Sequence, residues 1–170
     1  CNMFNVTNRD GWLVGDEHKK IRKLDAKYVI GHFELPHFYM NAMVQMPDTG
    51  ELNTTDFNHL GTVFTGHFHK RQERENVVYT GNAFAHNYAD AGDDERGMMI
   101  LDWDGTKNFI AWPDQPKYRV LQISQLLEGP DKYLSPKTYA RVKLDVSISY
   151  EEASFIRISI TRIKFDTYKK

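Results

Sequence analysis

Three short apolar runs in the first half of the chain each stop at or near a glycine that is followed by a polar residue. They read YVIGH, VFTGHFH and VVYTGN and begin at residues 28, 63 and 77. Apolar runs this short, bounded by turn residues, are typical of buried strands. In layered α/β proteins, functional side chains collect where such strands end, because a rigid scaffold holds the loops there. The pattern favours an α/β fold with a site at the strand ends.

Three histidines follow these runs directly: His32, His67 and His69. In an extended segment, residues two apart point to the same side, so we expect His67 and His69 to face one cavity while Phe68 faces the packed interior. A glycine such as Gly66 lets the backbone turn sharply and lets an ion approach closely. A GHFH string alone fits an ordinary histidine pair as well as a metal site, and the second strand-end Gly-His favours the metal site.

The composition limits which metal ligands the chain can offer. Its single cysteine, Cys1, rules out an intramolecular disulfide framework and a cysteine-based zinc cluster. A metal site must therefore rely on His, Asp, Glu or Asn. A histidine that stands alone beside apolar residues is usually a hydrogen-bonded core or surface residue. That is our interpretation of the other four histidines, His18, His37, His59 and His86.

Length and patterning give the organisation of the chain. Its 170 residues suit one domain, or one and a fraction at ~150 residues per domain. No apolar run approaches the ~20 residues that cross a bilayer, and the N-terminus does not resemble a signal peptide, so we expect a cytoplasmic location in the cell or in a phage-infected host. Because the chain opens on a cysteine and closes directly after a strand-like run, we expect a fragment of a longer protein.

The net charge of −1 hides an asymmetry along the chain. Residues 132–170 carry nine Lys/Arg and four Asp/Glu, a balance of +5, so residues 1–131 carry −6. A basic C-terminal part of this kind can contact nucleic acid, and it is also typical of an ordinary solvated face.

Outside the three runs, the sequence predicts irregular segments and more strands. We expect a surface helix within residues 8–26 and an irregular excursion with one helical turn between the first two strands. Two apolar runs flank Asp104-Gly105, a dipeptide that favours a tight antiparallel hairpin. A further strand over the string YRVLQISQLLE is expected next, followed by a loop through Gly129-Pro130. Apolar residues then alternate over 142–148 and over 156–160, which predicts two strands.

The order of these motifs resembles that of a known family. A Gly-His, then GHFH, then a strand ending YTGN resembles the C-terminal half of the calcineurin-like metallophosphoesterases. Within that superfamily, the strings YVIGHFEL, VFTGHFHKRQERENVVYTGN and ERGMMILDWDG are similar to the nuclease subunit of the DNA double-strand-break repair complex. The similarity is to its SbcD-type and bacteriophage recombination-exonuclease members, and it continues more loosely into the last fifty residues.

The resemblance implies a four-layer α-β-β-α sandwich, of which this chain would hold the β-rich C-terminal half. Residues 1–120 would belong to the metallophosphoesterase domain, and residues 121–170 would begin a small α/β capping domain. The resemblance also implies a dinuclear metal centre, in which His32 and His67 bind one ion and His69 binds the other. Mn²⁺ is the family's usual ion, and Zn²⁺, Fe²⁺ or Mg²⁺ would also suit such ligands.

The activity implied by the resemblance is that of a metal-dependent DNA nuclease, an exonuclease or endonuclease acting in recombination or double-strand-break repair. The whole protein would work as a homodimer with an SMC-like ATPase subunit of the SbcC type. The family's bridging carboxylate and leaving-group acid belong to motifs upstream of the region seen here. We therefore expect no catalytic residue in this chain, weak metal binding by the chain alone, and no hydrolysis.

Three further residues lie where they could contact phosphate. Lys70 and Arg71 follow the histidine pair, and either could bind a DNA phosphate or be an ordinary surface charge. The family commonly has Gly-Ser or Gly-Thr before a proline where this chain has Gly81 and Asn82 followed by alanine. Asn82 could offer its amide to a phosphate or a metal-bound water, or it could cap a turn.

Two other functions stay open from the sequence. The same histidine pattern serves calcineurin-like phosphodiesterases and phosphatases of other substrate classes, and only the cap-like strands and the basic C-terminal part favour DNA. A second alternative is a non-catalytic binding module that kept the histidines and lost the upstream carboxylates. Salt-dependent DNA binding would separate the first alternative from a nuclease, because affinity for a phosphate backbone falls steeply with salt.

Overall fold

The computed structural model describes residues 2–3, 21–40, 44–49, 52–159 and 163–166. The chain divides into two compact units. The first comprises residues 1–83 and 95–111, and the second comprises residues 84–94 and 112–170. Several sheets and few helices make up the described part, so the expectation of a mixed α/β protein is confirmed. The finer assignment to a sandwich and the domain division at residue 120 stay predictions.

A five-stranded sheet forms the centre of the first unit. Its strand order is β1-β2-β3-β5-β4, with β1, β2, β3 and β5 parallel and β4 antiparallel to β5. The strands are β1 (Asn2–Met3), β2 (Tyr28–Gly31), β3 (Thr62–Thr65), β4 (Gln72–Arg74) and β5 (Val77–Tyr79). All three strands expected from the apolar runs are confirmed, and β4 was not expected.

The parallel strands read as apolar runs because they are buried at their centres. Val29, Val63 and Val77 are register partners across β2, β3 and β5, and each is at most 1% exposed. Each buried valine contributes roughly 1.5–3 kcal/mol relative to an exposed one. Phe64 of β3 and Val78 of β5 are buried on the opposite face, whereas Ile30 of β2 is 43% exposed. Strands covered on both faces, such as β3 and β5, lack the alternation of apolar and polar residues that a half-exposed strand shows.

The excursion between β2 and β3 is irregular, as expected, with one short helical turn at Thr54–Phe57. Asn53 caps this 3-10 turn, and its own backbone N–H donates to Asp56 at 3.1 Å. The turn places Phe57 in the core, where its ring lies 5.1 Å from that of Phe33 between centroids. The excursion therefore adds aromatic side chains to the core next to the end of β2.

A hairpin of β6 (Gly97–Leu101) and β7 (Lys107–Ala111) completes the first unit and confirms the prediction from Asp104-Gly105. Gly105 adopts a φ of 100°, which glycine reaches without the steric cost of a side chain. The Asp104 carboxylate accepts a 2.8 Å hydrogen bond from the backbone N–H of Thr106, which lowers the pKa of Asp104 and closes the turn.

The second unit is built on a three-stranded parallel sheet with the order β10-β9-β8. Helices connect its strands in sequence. The elements are β8 (Lys117–Gln122), α1 (Ile123–Glu128), β9 (Thr138–Lys143), α2 (Tyr150–Ser159) and β10 (Ile163–Asp166). A separate core holds this unit together, made from one face of the sheet and the apolar side of α1, and comprises Leu121, Ile123, Leu126, Ala140 and Val142.

Three sequence expectations are wrong in this unit. The strand expected over residues 142–148 is too long, because β9 ends at Lys143 and residues 144–149 are irregular. Residues 123–128 form the helix α1 rather than the end of the predicted strand, because Gln125 accepts a hydrogen bond from the Gln122 N–H and starts the helix. Residues 150–159 form α2 rather than a strand. At its start, Glu152 accepts from the Ser149 N–H at 2.7 Å, and the Ser149 hydroxyl accepts from the Glu152 N–H at 3.1 Å. This reciprocal capping box overrides the alternation of apolar residues.

Two further expectations concern the periphery. The predicted surface helix at residues 8–26 falls mostly outside the described residues, which begin again at Ile21. Within the described ranges, no helix has both the length and the apolar character that a bilayer crossing requires.

Candidate metal centre

The carboxyl ends of β2 and β3 carry the candidate site. These strands are adjacent and parallel, so the residues that follow them emerge at the same edge of the sheet. The Gly66 N–H donates a 3.2 Å hydrogen bond to the Gly31 carbonyl and joins the two ends. A Cβ atom at Gly66 would lie only 2.8 Å from Nδ1 of His32. Glycine at this position therefore leaves room for the first histidine.

His32 and His67 meet at this edge. Their ring centroids are 5.3 Å apart, and the rings are close to perpendicular at 79°. His67 has a φ of 80°, which non-glycine residues adopt uncommonly. The expectation of an extended GHFH segment is therefore wrong at His67, where the backbone turns. The expectation that Phe68 faces the interior is confirmed, since Phe68 is 4% exposed and stacks near Tyr79.

Glu34 is the acidic neighbour of this histidine pair. Its Oε1 lies 3.7 Å from Nε2 of His67. Burial lowers the pKa of His67, the nearby His32 and His69 lower it further, and Glu34 opposes them by raising it. The lowered pKa keeps His67 neutral at neutral pH, which is the form of imidazole that binds metal ions. Glu34 follows His32 by two positions in the string GHFEL and was not among the site residues expected from the sequence.

A buried hydrogen-bond frame fixes the segment that carries His32 and Glu34. The Tyr79 hydroxyl donates to the Phe33 carbonyl at 2.8 Å and accepts from the Leu35 N–H at 3.0 Å. The Phe33 N–H donates to the Thr65 hydroxyl at 2.8 Å. Burial raises the pKa of Tyr79, so its hydroxyl stays protonated and keeps its donor role. The frame ties the end of β2 to β3 and β5.

His69 is held through its backbone. Its carbonyl accepts hydrogen bonds from the Asn82 N–H and from Nη1 of Arg96, both at 3.0 Å. Gly81 has a φ of 71°, and a Cβ there would lie 3.0 Å from the His69 carbonyl oxygen. The loop after β5 therefore braces the histidine segment with its main chain, and Asn82 contributes its backbone N–H to that contact.

The two basic residues after the histidines lie against aromatic rings. The Lys70 ammonium lies 5.3 Å from the ring centroid of Tyr39. The Arg71 guanidinium lies 3.9 Å from the ring centroid of Phe109, and its Nη2 lies 3.7 Å from a carboxylate oxygen of Glu95. Contact between these cations and a phosphate, like that of Asn82, stays a prediction.

The residue types fit a divalent cation, but their number does not complete its coordination. Two imidazoles and a carboxylate are suitable ligands for Mn²⁺, Zn²⁺ or Fe²⁺. Among the described residues, no group of three or more His, Cys, Asp or Glu side chains is placed to hold a metal ion. The ligand roles of His32, His67 and His69 stay predictions.

Comparison with known protein families finds no family model that matches this chain, and comparison with curated proteins finds no match either.

Proposed function

We propose that this chain is the histidine-bearing part of a metal-dependent DNA nuclease. The observation that carries the proposal is the pairing of His32 with His67, with Glu34 beside them, at the ends of adjacent parallel strands. The adjacent strands bring the two residues to the same edge, and both are exposed, so burial of their own rings does not explain why the rings meet. A ligand that both imidazoles share would account for that contact.

Each residue has a role in this proposal. His32 and His67 would hold one ion and His69 a second, while the Glu34 carboxylate would set the charge around His67. Two divalent ions, when bound, activate a water and neutralise the charge of a phosphodiester. The remaining ligands and the proton donor to the leaving group would come from other residues of the protein. The proposed reaction takes place in the cytoplasm, with an SMC-like ATPase as the partner.

Equilibrium metal binding tests the proposal. Titration of the purified chain with MnCl₂ in a calorimeter should show weak binding that His67→Ala or His32→Ala reduces at least tenfold. His86→Ala is the matched control, because His86 is exposed and belongs to the second unit. Equal affinity in His67→Ala and in the unaltered chain would rule out the proposed ligand pair.

The described residues do not supply a complete set of metal ligands, which predicts that the chain alone is inactive. With Mn²⁺ present, we expect the chain alone not to hydrolyse bis(p-nitrophenyl) phosphate or linear DNA above the rate without protein. Hydrolysis that His67→Ala leaves unchanged would point to a different active site. Hydrolysis that His67→Ala abolishes would show that the chain contains a complete centre.

A further inference from the structure

An apolar groove lies between the two helices of the second unit. It consists of two cavities of about 470 Å³ each. Leu127 of α1 and both Phe155 and Ile156 of α2 line the two cavities alike, so the cavities adjoin and form one groove. We call it the helix groove.

The helix groove joins the core of the unit to exposed apolar side chains. Ile148 and Ile156 are half-buried and pack against that core. Leu127 and Phe155 are 60% and 73% exposed. A contiguous apolar surface of this kind marks an interaction site, whereas single exposed apolar residues are normal on any protein.

Carboxylates stand at both ends of the helix groove. Asp131 lines one cavity, and Glu151 and Glu152 line the other. Glu152 accepts the hydrogen bond that starts α2, whereas Asp131 and Glu151 form no ion pair within the described part of the chain. The two segments that form the groove, residues 123–134 and 148–156, carry four acidic residues and one basic residue, Lys132. The groove is therefore acidic although residues 132–170 as a whole are basic.

We propose that the helix groove binds a basic amphipathic helix of a partner protein. Apolar side chains at helical spacing fill the two cavities around Phe155, and Lys or Arg residues beside them face Asp131 and Glu151. A second copy of the same groove would bring like charges together, which opposes self-association. The same carboxylates repel a phosphate backbone and an anionic membrane surface.

Fluorescence anisotropy with the full 170-residue chain and two labelled model peptides tests this assignment. The first peptide has leucine at helical spacing and lysine at the other positions, and the second has glutamate in place of each lysine. At physiological salt, we expect micromolar binding of the lysine peptide and at least tenfold weaker binding of the glutamate peptide.

Phe155→Ala tests the apolar part of the groove. Truncation of an aromatic anchor at the centre of an interface should weaken binding of the lysine peptide about tenfold or more. Tyr150→Ala is the matched control, because Tyr150 is 83% exposed on α2 and lines neither cavity. It should leave the affinity unchanged, and circular dichroism of each variant checks that the fold is kept.

Glu151→Gln tests the charged part. It keeps the size of the side chain and removes one charge, so it should weaken binding of the lysine peptide about twofold to fivefold and flatten its salt dependence. Glu75→Gln removes the same charge from the first unit and should change neither quantity.

Four results would overturn the proposal. Three come from anisotropy: no binding of the lysine peptide, equal binding of the two peptides, or equal losses in Phe155→Ala and Tyr150→Ala. The fourth comes from sedimentation velocity of the chain without peptide, where a dimer that Phe155→Ala dissociates would assign the groove to self-association. Peptide binding does not depend on the histidine pair, so His67→Ala should bind the lysine peptide as the unaltered chain does.

Discussion

At the scale of single residues, the candidate centre depends on glycines that leave space as much as on the histidines proposed to bind the ion. Gly66 leaves space for the His32 ring, and Gly81 leaves space for the His69 carbonyl. The meeting of His32 and His67 could be predicted from the sequence, because two adjacent parallel strands bring their ends together. The role of Glu34 could not, because its approach to His67 depends on the turn at His67, and no local pattern indicated that turn.

Gly66→Ala tests this steric argument. The new Cβ would clash with Nδ1 of His32, and the ring can move away at little cost in stability. We expect manganese affinity to fall about tenfold or more while the urea midpoint changes little. Gly92→Ala is the matched control, since Gly92 has open space around it and a φ of 84°. It should lose roughly 1 kcal/mol of stability and no metal affinity. The opposite pattern would contradict the steric account.

Tyr79→Phe tests the hydrogen-bond frame beneath the site. Removal of the hydroxyl leaves the buried Leu35 N–H and Phe33 carbonyl without this partner. A buried polar group that loses its partner costs roughly 1–3 kcal/mol, so the free energy of unfolding from urea denaturation should fall by about that amount. Tyr150→Phe on the exposed surface should leave it unchanged. A loss of under about 0.5 kcal/mol in Tyr79→Phe would mean that the frame does not stabilise the segment.

At the scale of elements, the sequence predicted the strands and the hairpin that local chemistry determines. It mispredicted the segment in which helix and strand signals compete. The hairpin at Asp104-Gly105 follows from turn chemistry, and β2, β3 and β5 follow from apolar content. The strand expected over residues 156–160 is wrong, because the apolar spacing of a strand and that of a helix overlap there. The string Ser149-Tyr150-Glu151-Glu152 contains a capping box, and this signal for a helix start was available in the sequence.

Ser149→Ala tests whether the capping box starts α2. Loss of the hydroxyl that accepts from the Glu152 N–H should cost about 1 kcal/mol of helix stability. Amide exchange within residues 150–159 should therefore speed up about fivefold relative to the unaltered chain. Ser147→Ala, two residues earlier in the irregular segment, is the control and should leave exchange unchanged. Equal exchange in Ser149→Ala and the control would indicate that packing alone forms the helix.

The same cap predicts a pH dependence. Hydrogen bonds from the Ser149 backbone and side chain lower the pKa of Glu152. A carboxylate whose pKa is lower in the folded state contributes stability above its unfolded pKa and loses it as pH falls through the folded value. Protection of α2 should therefore decrease below about pH 4.3 in the unaltered chain. Glu152→Gln should remove that part of the decrease, and an unchanged pH profile would contradict this assignment.

At the scale of the whole molecule, the chain divides into two compact units with separate cores. The first unit holds the histidine pair, and the second is built on a three-stranded parallel sheet. The proposed nuclease function requires the first unit.

The measurement that tests the central claim most directly is paramagnetic broadening of histidine ring signals by Mn²⁺. Substoichiometric MnCl₂ added to the assigned chain should broaden the ring resonances of His32 and His67 first, with His69 next. His37, His59 and His86 are internal controls in the same spectrum and should stay sharp. Broadening of His86 or His59 before His32 and His67 would contradict the account, because it would place the ion away from the strand ends.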